Sequence, residues 1–242
     1  MTFDYDQETP RYIAHGLNIF QAGLVDGDEF KTVELIHTAL NPHHDSVIMD
    51  FGAGIGGVPK MMLQIDPTLK FIGVSNSKFQ TDYINAMFHK SIAAINCDFH
   101  CVPLPDNSID YAMFNETIGY GDLPVLLREV SRLLKVGGRV VIKDFTGYGD
   151  DELNDLFFQI WGYRLYQIAD YNKVLSSVDL KPVFDPVVID TNGDKFNEFV
   201  RNDPLMRARY ASYTPRMLER FNDALSSPSK TLVFAFEKTG SR

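Results

Sequence analysis

With 242 residues, 45% of them hydrophobic and 12% aromatic, the chain is long enough to bury a full core and reads as one decorated domain. A formal net charge of −9 excludes a basic nucleic-acid footprint, and no apolar run reaches the roughly 18 residues of a membrane span. Cys97 and Cys101 are the only cysteines, and with no signal peptide a reduced, cytoplasmic setting is the default.

Residues 1–10 are polar and acidic and read as a mobile arm. An aromatic-rich stretch, 11–20, precedes a helix over 29–40, where Phe30, Val33, Leu35, Ile36 and Leu40 keep helical spacing until Asn41-Pro42 stops it. The chain is organised around 47–57, Val-Ile-Met-Asp-Phe-Gly-Ala-Gly-Ile-Gly-Gly: a buried strand running into Asp50, a turn built of glycines, and a helix start. Glycines let the backbone take φ > 0 and let a ligand approach the main chain, and the helix N-terminus attracts a negative group.

Gly52, Gly54 and Gly57 satisfy G-x-G-x-x-G, which by itself is a weak match to a dinucleotide fingerprint. Such a site needs an acid about 20 residues on for the ribose, whereas the next strand, 70–74, ends in Ser75-Asn76-Ser77. Asp50 would repel a pyrophosphate but suits a ligand with an ammonium end, so an amino-acid-bearing nucleoside fits better.

Asp50-Phe51-Gly52-Ala53-Gly54-Ile55-Gly56 resembles the first motif, D/E-x-G-x-G-x-G, of the class I S-adenosylmethionine-dependent methyltransferases. Residues 73–80, Gly-Val-Ser-Asn-Ser-Lys-Phe-Gln, look like the second-strand signature of the cyclopropane-synthase, tocopherol and plant alkaloid methyltransferases. The resemblance covers roughly 12–145 and implies a doubly wound, mostly parallel seven-stranded α/β sheet of Rossmann-like type, with an N-terminal helical segment and a C-terminal lid insertion. It implies S-adenosylmethionine as cofactor. Asp50, Gly52 and Gly54 would hold the methionyl end, Ser75 and Gln80 the ribose, and Asp98 and Phe99 the adenine, with Ala53, Asn76 and Asn115 also at the cofactor. The stretch 11–20 resembles the leading segment that folds over the cofactor. Tyr12 is its cofactor-facing candidate and His15 is structural, although Phe20 stands where many members carry a His.

Further along, 80–89 reads as a helix and 93–96 as a third strand leading to Cys97-Asp98-Phe99. Cys97, His100 and Cys101 invite a metal, but no second ligand pair follows at zinc spacing, so two buried free thiols and no metal site are expected. Residues 102–110 resemble the family's L-P-x-x-D-x-S-F/I-D linker. The fourth strand, 111–114, delivers Asn115-Glu116-Thr117-Ile118-Gly119-Tyr120 to the ligand edge, a pattern resembling that of geranyl-diphosphate C-methyltransferases. Glu116 is the candidate for the chemistry, since a carboxylate both stabilises a carbocation and removes a proton; a helix-capping or ion-paired Glu116 is the alternative. Tyr120 is the second catalytic candidate.

A helix and a Gly137-Gly138 turn lead into strand five, 139–144. Apolar spacing predicts one amphipathic helix over 151–169, whose Phe157, Trp161, Tyr163 and Tyr166 either line an acceptor pocket by cation–π contact or form ordinary core. Strand six is expected over 181–189 and a last strand over 230–238, with a lid over 190–228 between them. Arg201, Arg207, Arg209, Arg216 and Arg220 there form either a solvated face or a clamp on an anionic acceptor group.

The segments are thus a 1–45 cap, a 46–189 cofactor-binding core, the 190–228 lid and a 229–242 last strand and tail. The expected function is methyl transfer to a small organic acceptor, by preference C-methylation of an isoprenoid or olefin. Alternatives are N-methylation of a small amine and a non-catalytic cofactor-binding regulatory protein. Neither nucleic acid nor a membrane span is expected as partner, and oligomeric state is not legible.

Overall fold

The computed structural model describes residues 4–19, 21, 23–88, 90–145, 151–204 and 229–240. The chain opens on α1 (Tyr5–Ala14) and α2 (Glu29–Leu40), each capped by an aspartate, Asp4 and Asp28, that accepts from first-turn N–H groups. The arm expected over 1–10 is therefore helical from Tyr5 onward. Thr9 and Tyr12 are buried on its inner face, which an arm in solvent would not allow.

The sheet follows as β1 (Val47–Phe51), α3 (Gly57–Ile65), β2 (Lys70–Ser75), α4 (Lys78–Met87), β3 (Ile92–Asn96), β4 (Ile109–Asn115), α5 (Leu123–Leu133) and β5 (Leu134–Phe145). It is completed by α6 (Asp151–Trp161), α7 (Ile168–Leu175), β6 (Leu180–Pro182), β7 (Val187–Thr191), α8 (Asp194–Asn202) and β8 (Ser229–Lys238). Strand order is β3-β2-β1-β4-β5-β8-β6, with β7 also on β8. The first five strands pair in parallel and β8 runs antiparallel to β5, β6 and β7. The order reverses between β1 and β4, which places a crevice beyond their carboxyl ends.

Side chains alternate across the sheet with the period of two that a pleat imposes. Met49, Phe51, Ala112, Phe114, Val140 and Ile142 face α5 and α7, while Ile48, Tyr111, Met113 and Val141 face α2, α3 and α4. On α5 the buried stripe Leu123, Leu126, Leu127, Val130 and Leu133 repeats every three to four residues, each side chain stabilising by about 1.5–3 kcal/mol. The same helix organises the 102–106 linker. Glu129 accepts from the Val102 N–H at 2.7 Å, and Arg132 donates to the carbonyls of Val102 and Leu104 and to Asp106.

The expected elements are corrected in several places. Strand six is broken into β6 and β7, making the sheet eight-stranded; Pro182 and Pro186 flank the break and carry no N–H for the ladder. Gly137 and Gly138 do not separate α5 from strand five. They lie within β5, where three extra residues bulge between the Ile109↔Leu134 and Tyr111↔Arg139 pairs. The helix expected over 151–169 ends at Trp161, because Gly162 takes φ 66° and closes the turn by donating to the Phe158 carbonyl at 2.7 Å. The expectation of two buried thiols also fails: Cys101 is exposed and Cys97 half-buried, in the turn after β3. Of the basic segment only Arg201 is described, exposed on α8; Arg207, Arg209, Arg216 and Arg220, like Phe20 and most of the lid, lie outside the described residues.

Candidate functional site

Beyond the carboxyl ends of β1, β2, β4 and β5 lies a cavity of about 500 Å³, within the range of small-molecule sites. Every residue expected at the site borders it. Asp50, Gly52, Ala53 and Gly54 come from the β1 turn, Ser75, Asn76 and Gln80 from β2 and α4, and Asp98 and Phe99 from the loop after β3. Asn115, Glu116 and Tyr120 come from the end of β4, and Tyr12 from α1. Phe157, Trp161 and Tyr163 border it too, whereas Tyr166 does not; its hydroxyl donates to the Gly121 carbonyl at 2.7 Å and serves the fold.

The β1 turn is shaped for close approach. Gly52 takes φ 86°, and a Cβ there would stand 2.5 Å from Thr117 Cγ2, so no other residue fits. The Gly52 and Ala53 N–H groups donate to the Val74 carbonyl, which ties the turn to β2. Next to it Asp50 is 3% exposed, and burial pushes its carboxyl up to about 7. Asn115 Oδ1 is a buried acceptor without a partner among the described residues. A buried acid and an unused acceptor on the same wall are what an ammonium group would satisfy.

On the β2 side Ser75 Oγ donates to Gln80 Oε1 at 2.7 Å, and Gln80 Nε2 donates to Thr9 Oγ1 at 2.9 Å. These bonds bring α1 over the cavity. Asp6 fastens it further by accepting from the Ser77 hydroxyl and the Phe79 N–H, and Tyr5 hydrogen-bonds Tyr120. Tyr12, almost fully buried, has its phenol pushed up to about 12 by burial. In the β3 loop Asp98 accepts from the His100 N–H at 2.9 Å and pairs with Nδ1 at 2.6 Å, while His100 Nε2 accepts from the Asp122 N–H. His100 is thereby a structural brace; no metal-holding cluster occurs among the described residues.

At the opposite end Glu116 sits at φ 56°, a left-handed backbone uncommon for a non-glycine residue. Its Oε1 accepts from Lys143 Nζ at 2.6 Å and from the Gly23 N–H at 3.0 Å. Lys143 is fully buried, and its ammonium also donates to Gln21 Oε1 at 3.2 Å. Glu116 is thus ion-paired and still borders the cavity, so the two readings of this residue are not exclusive. Adjacent Asp144 is buried and pushed up to about 7, by burial first and then by the Glu116 charge; the hydrogen bond from Tyr163 opposes this in part. Tyr163 is held well above its ordinary range, by burial and by the Asp144 charge. Its ring meets Tyr120 edge-on at 4.6 Å and Phe157 at 5.9 Å, giving this end aromatic walls.

Sequence reasoning did not identify Lys143, Asp144 or Gln21. The signal for the first two was available: charged residues that end the apolar run Val140-Val141-Ile142 in a central strand need partners at its buried end.

Residues 49–142 match the family profile described as a methyltransferase domain. Over 102 residues the chain is 30% identical to dimethylglycine N-methyltransferase of Parasynechococcus marenigrum (strain WH8102), a stretch that is 40% of this chain and 36% of that protein. Over 107 residues it is 36% identical to geranyl diphosphate 2-C-methyltransferase of Saccharopolyspora erythraea, 42% of this chain and 36% of that protein. The chain therefore spans little more than a third of the length of these curated relatives. Among solved structures, geranyl diphosphate C-methyltransferase from Streptomyces coelicolor A3(2), in complex with Mg2+, geranyl diphosphate and S-adenosyl-L-homocysteine, superposes with a TM-score of 0.70 at 20% identity, covering 98% of each chain. At that identity the likeness speaks to the fold. The glycine turn at 50–56, this strand order and the methyltransferase-domain match over 49–142 agree in likening the chain to the class I S-adenosylmethionine-dependent methyltransferases.

Proposed function

We propose that the chain transfers a methyl group from S-adenosylmethionine to a small organic acceptor, by preference an unsaturated carbon of an isoprenoid or similar olefin. Asp50 and Asn115 would take the ammonium of the methionyl end, with the Gly52-Ala53-Gly54 backbone against it. Ser75, Asn76 and Gln80 would meet the ribose, Asp98 and Phe99 the adenine, and Tyr12 would close over them. The bound cofactor supplies an electrophilic methyl on a sulfonium.

The observation that carries the preference for carbon is the pairing of Glu116 with buried Lys143. A carboxylate whose charge is already balanced offers little to a permanently cationic acceptor. It still accepts a proton, and it stabilises a positive charge that develops only as the reaction proceeds. An alkene meets that description: neutral when bound, it becomes a carbocation on methylation and loses a neighbouring proton, for which Glu116 is the base. Tyr120, Phe157, Trp161 and Tyr163 would face the same charge and keep water out.

Those aromatic walls also favour a second reading, N-methylation of a small amine, whose product cation they would hold equally well. The two separate by pH, because an amine must lose its proton to react and an alkene does not.

The test is calorimetric titration with S-adenosylmethionine, followed by transfer of labelled methyl to geranyl diphosphate and to dimethylglycine. Binding that is lost in Asp50→Ala, with transfer lost in Glu116→Gln, supports the proposal. No cofactor binding sinks it, and binding without turnover that Glu116→Gln leaves unaltered points to a regulatory protein.

A further inference from the structure

Gln21 is 4% exposed and borders the cavity at the end where Glu116 lies. Its carboxamide has a forced orientation. The Lys143 ammonium carries only donors, so the group facing it at 3.2 Å must be the Gln21 oxygen, and the nitrogen turns the other way. That nitrogen, Nε2, is buried with no hydrogen-bond partner among the described residues. Buried donors are rarely left unused, because desolvating one without a partner costs free energy. The same ammonium holds Glu116 Oε1 at 2.6 Å, so the Gln21 oxygen and the Glu116 carboxylate converge on one cation, and both residues border the cavity.

We propose that Gln21 is a specificity-determining residue whose Nε2–H donates to an oxygen of the methyl acceptor. The acceptor is then an oxygenated molecule, with its oxygen within a few bonds of the atom methylated. An allylic alcohol or its phosphate ester has this arrangement, as does an amino acid methylated on nitrogen; a plain hydrocarbon or a simple alkylamine does not. The inference rests on the methyltransferase reading and deepens it. Lys143 positions both groups, balancing Glu116 and aiming Gln21.

The test uses the full chain, labelled with 15N and saturated with S-adenosylhomocysteine, with the Gln21 side-chain amide signals assigned by their loss in Gln21→Leu and Gln21→Glu. Geranyl diphosphate and dimethylglycine are added separately, each against an oxygen-free counterpart, 2,6-dimethylocta-2,6-diene and trimethylamine. The expected result is that one oxygenated probe moves the Gln21 amide signals and its counterpart does not. Both variants should then raise KM for that probe about tenfold or more, with the rise falling on KM and not on kcat. Gln21→Glu keeps an oxygen for Lys143, so it separates the lost donor from lost packing. Amide signals unmoved by both oxygenated probes, or moved by S-adenosylhomocysteine alone, overturn the inference. Labelled-methyl transfer to a probe that leaves the amide unmoved overturns it while sparing the methyltransferase reading. Failure of S-adenosylhomocysteine to bind in calorimetry removes both.

Discussion

Cofactor affinity should rise with pH, and Asp50 sets by how much. Its carboxyl is 3% exposed and sits at about 7, the cause being burial alone. An ammonium ligand prefers the ionised form, so apparent affinity follows the ionised fraction, about one-tenth at pH 6 and about nine-tenths at pH 8. The dissociation constant for S-adenosylmethionine should therefore tighten about tenfold between those pH values, then level off. Calorimetry in buffers of different ionisation enthalpy adds a second readout, because binding near pH 6 must release a proton from Asp50. In Asp50→Asn both the slope and the proton release should vanish at uniformly weaker affinity. A flat profile in the wild type, or an equal slope in Asp50→Asn, would refute this account of the methionyl end.

Without ligand the same group acts on stability in the opposite sense. Its folded pKa lies above the ordinary carboxylate value of 3.8, so its contribution is fully present below that value and is lost as pH rises through about 7. Ligand-free Asp50→Asn should accordingly unfold at higher denaturant than wild type at pH 8, by up to roughly 4 kcal/mol, with the gap closing by pH 4. Asp144, raised for a similar reason, should behave likewise in Asp144→Asn. Lys143→Met leaves the Glu116 charge buried and unbalanced, and urea titration should show a loss of about 3–5 kcal/mol that Lys143→Met/Glu116→Gln largely recovers. Glu116→Gln alone should lower methyl transfer to a competent acceptor about 100-fold or more with an unchanged calorimetric affinity for cofactor.

What could be read in advance was what local chemistry dictates. The run 47–57 announces a strand, a turn and a helix by itself, because glycines take positive φ values there at almost no cost. Ser75, Gln80, Asp98 and Asn115 were legible only through the resemblance to methyltransferase motifs, and the strand order brings them to one edge. Two of the misses originate in contacts remote along the chain, and two in single glycines or prolines. Tyr5 to Pro10 looks like an arm until Asp6 meets Ser77 and Thr9 meets Gln80, more than seventy residues away. Lys143 is an unremarkable strand-end lysine until β4 places Glu116 beside it. Gly162 ends a helix whose apolar spacing continues past it, so periodicity outran the backbone. Strand six carried apolar residues on both sides of its break, and only the missing N–H groups of Pro182 and Pro186 betray the gap.

The left-handed backbone at Glu116 has an evolutionary consequence. L-residues hold that conformation at some cost, glycine at almost none and asparagine at little. A library selected for folding or solubility alone, blind to turnover, should drift toward glycine or asparagine at 116 once Lys143 has given way to a neutral residue, since a buried ammonium left without its carboxylate costs more than the backbone relieves. The same library selected for methyl transfer should keep the acid. Position 116 would then report, without any knowledge of the substrate, whether a population of variants is being held by its chemistry or only by its stability.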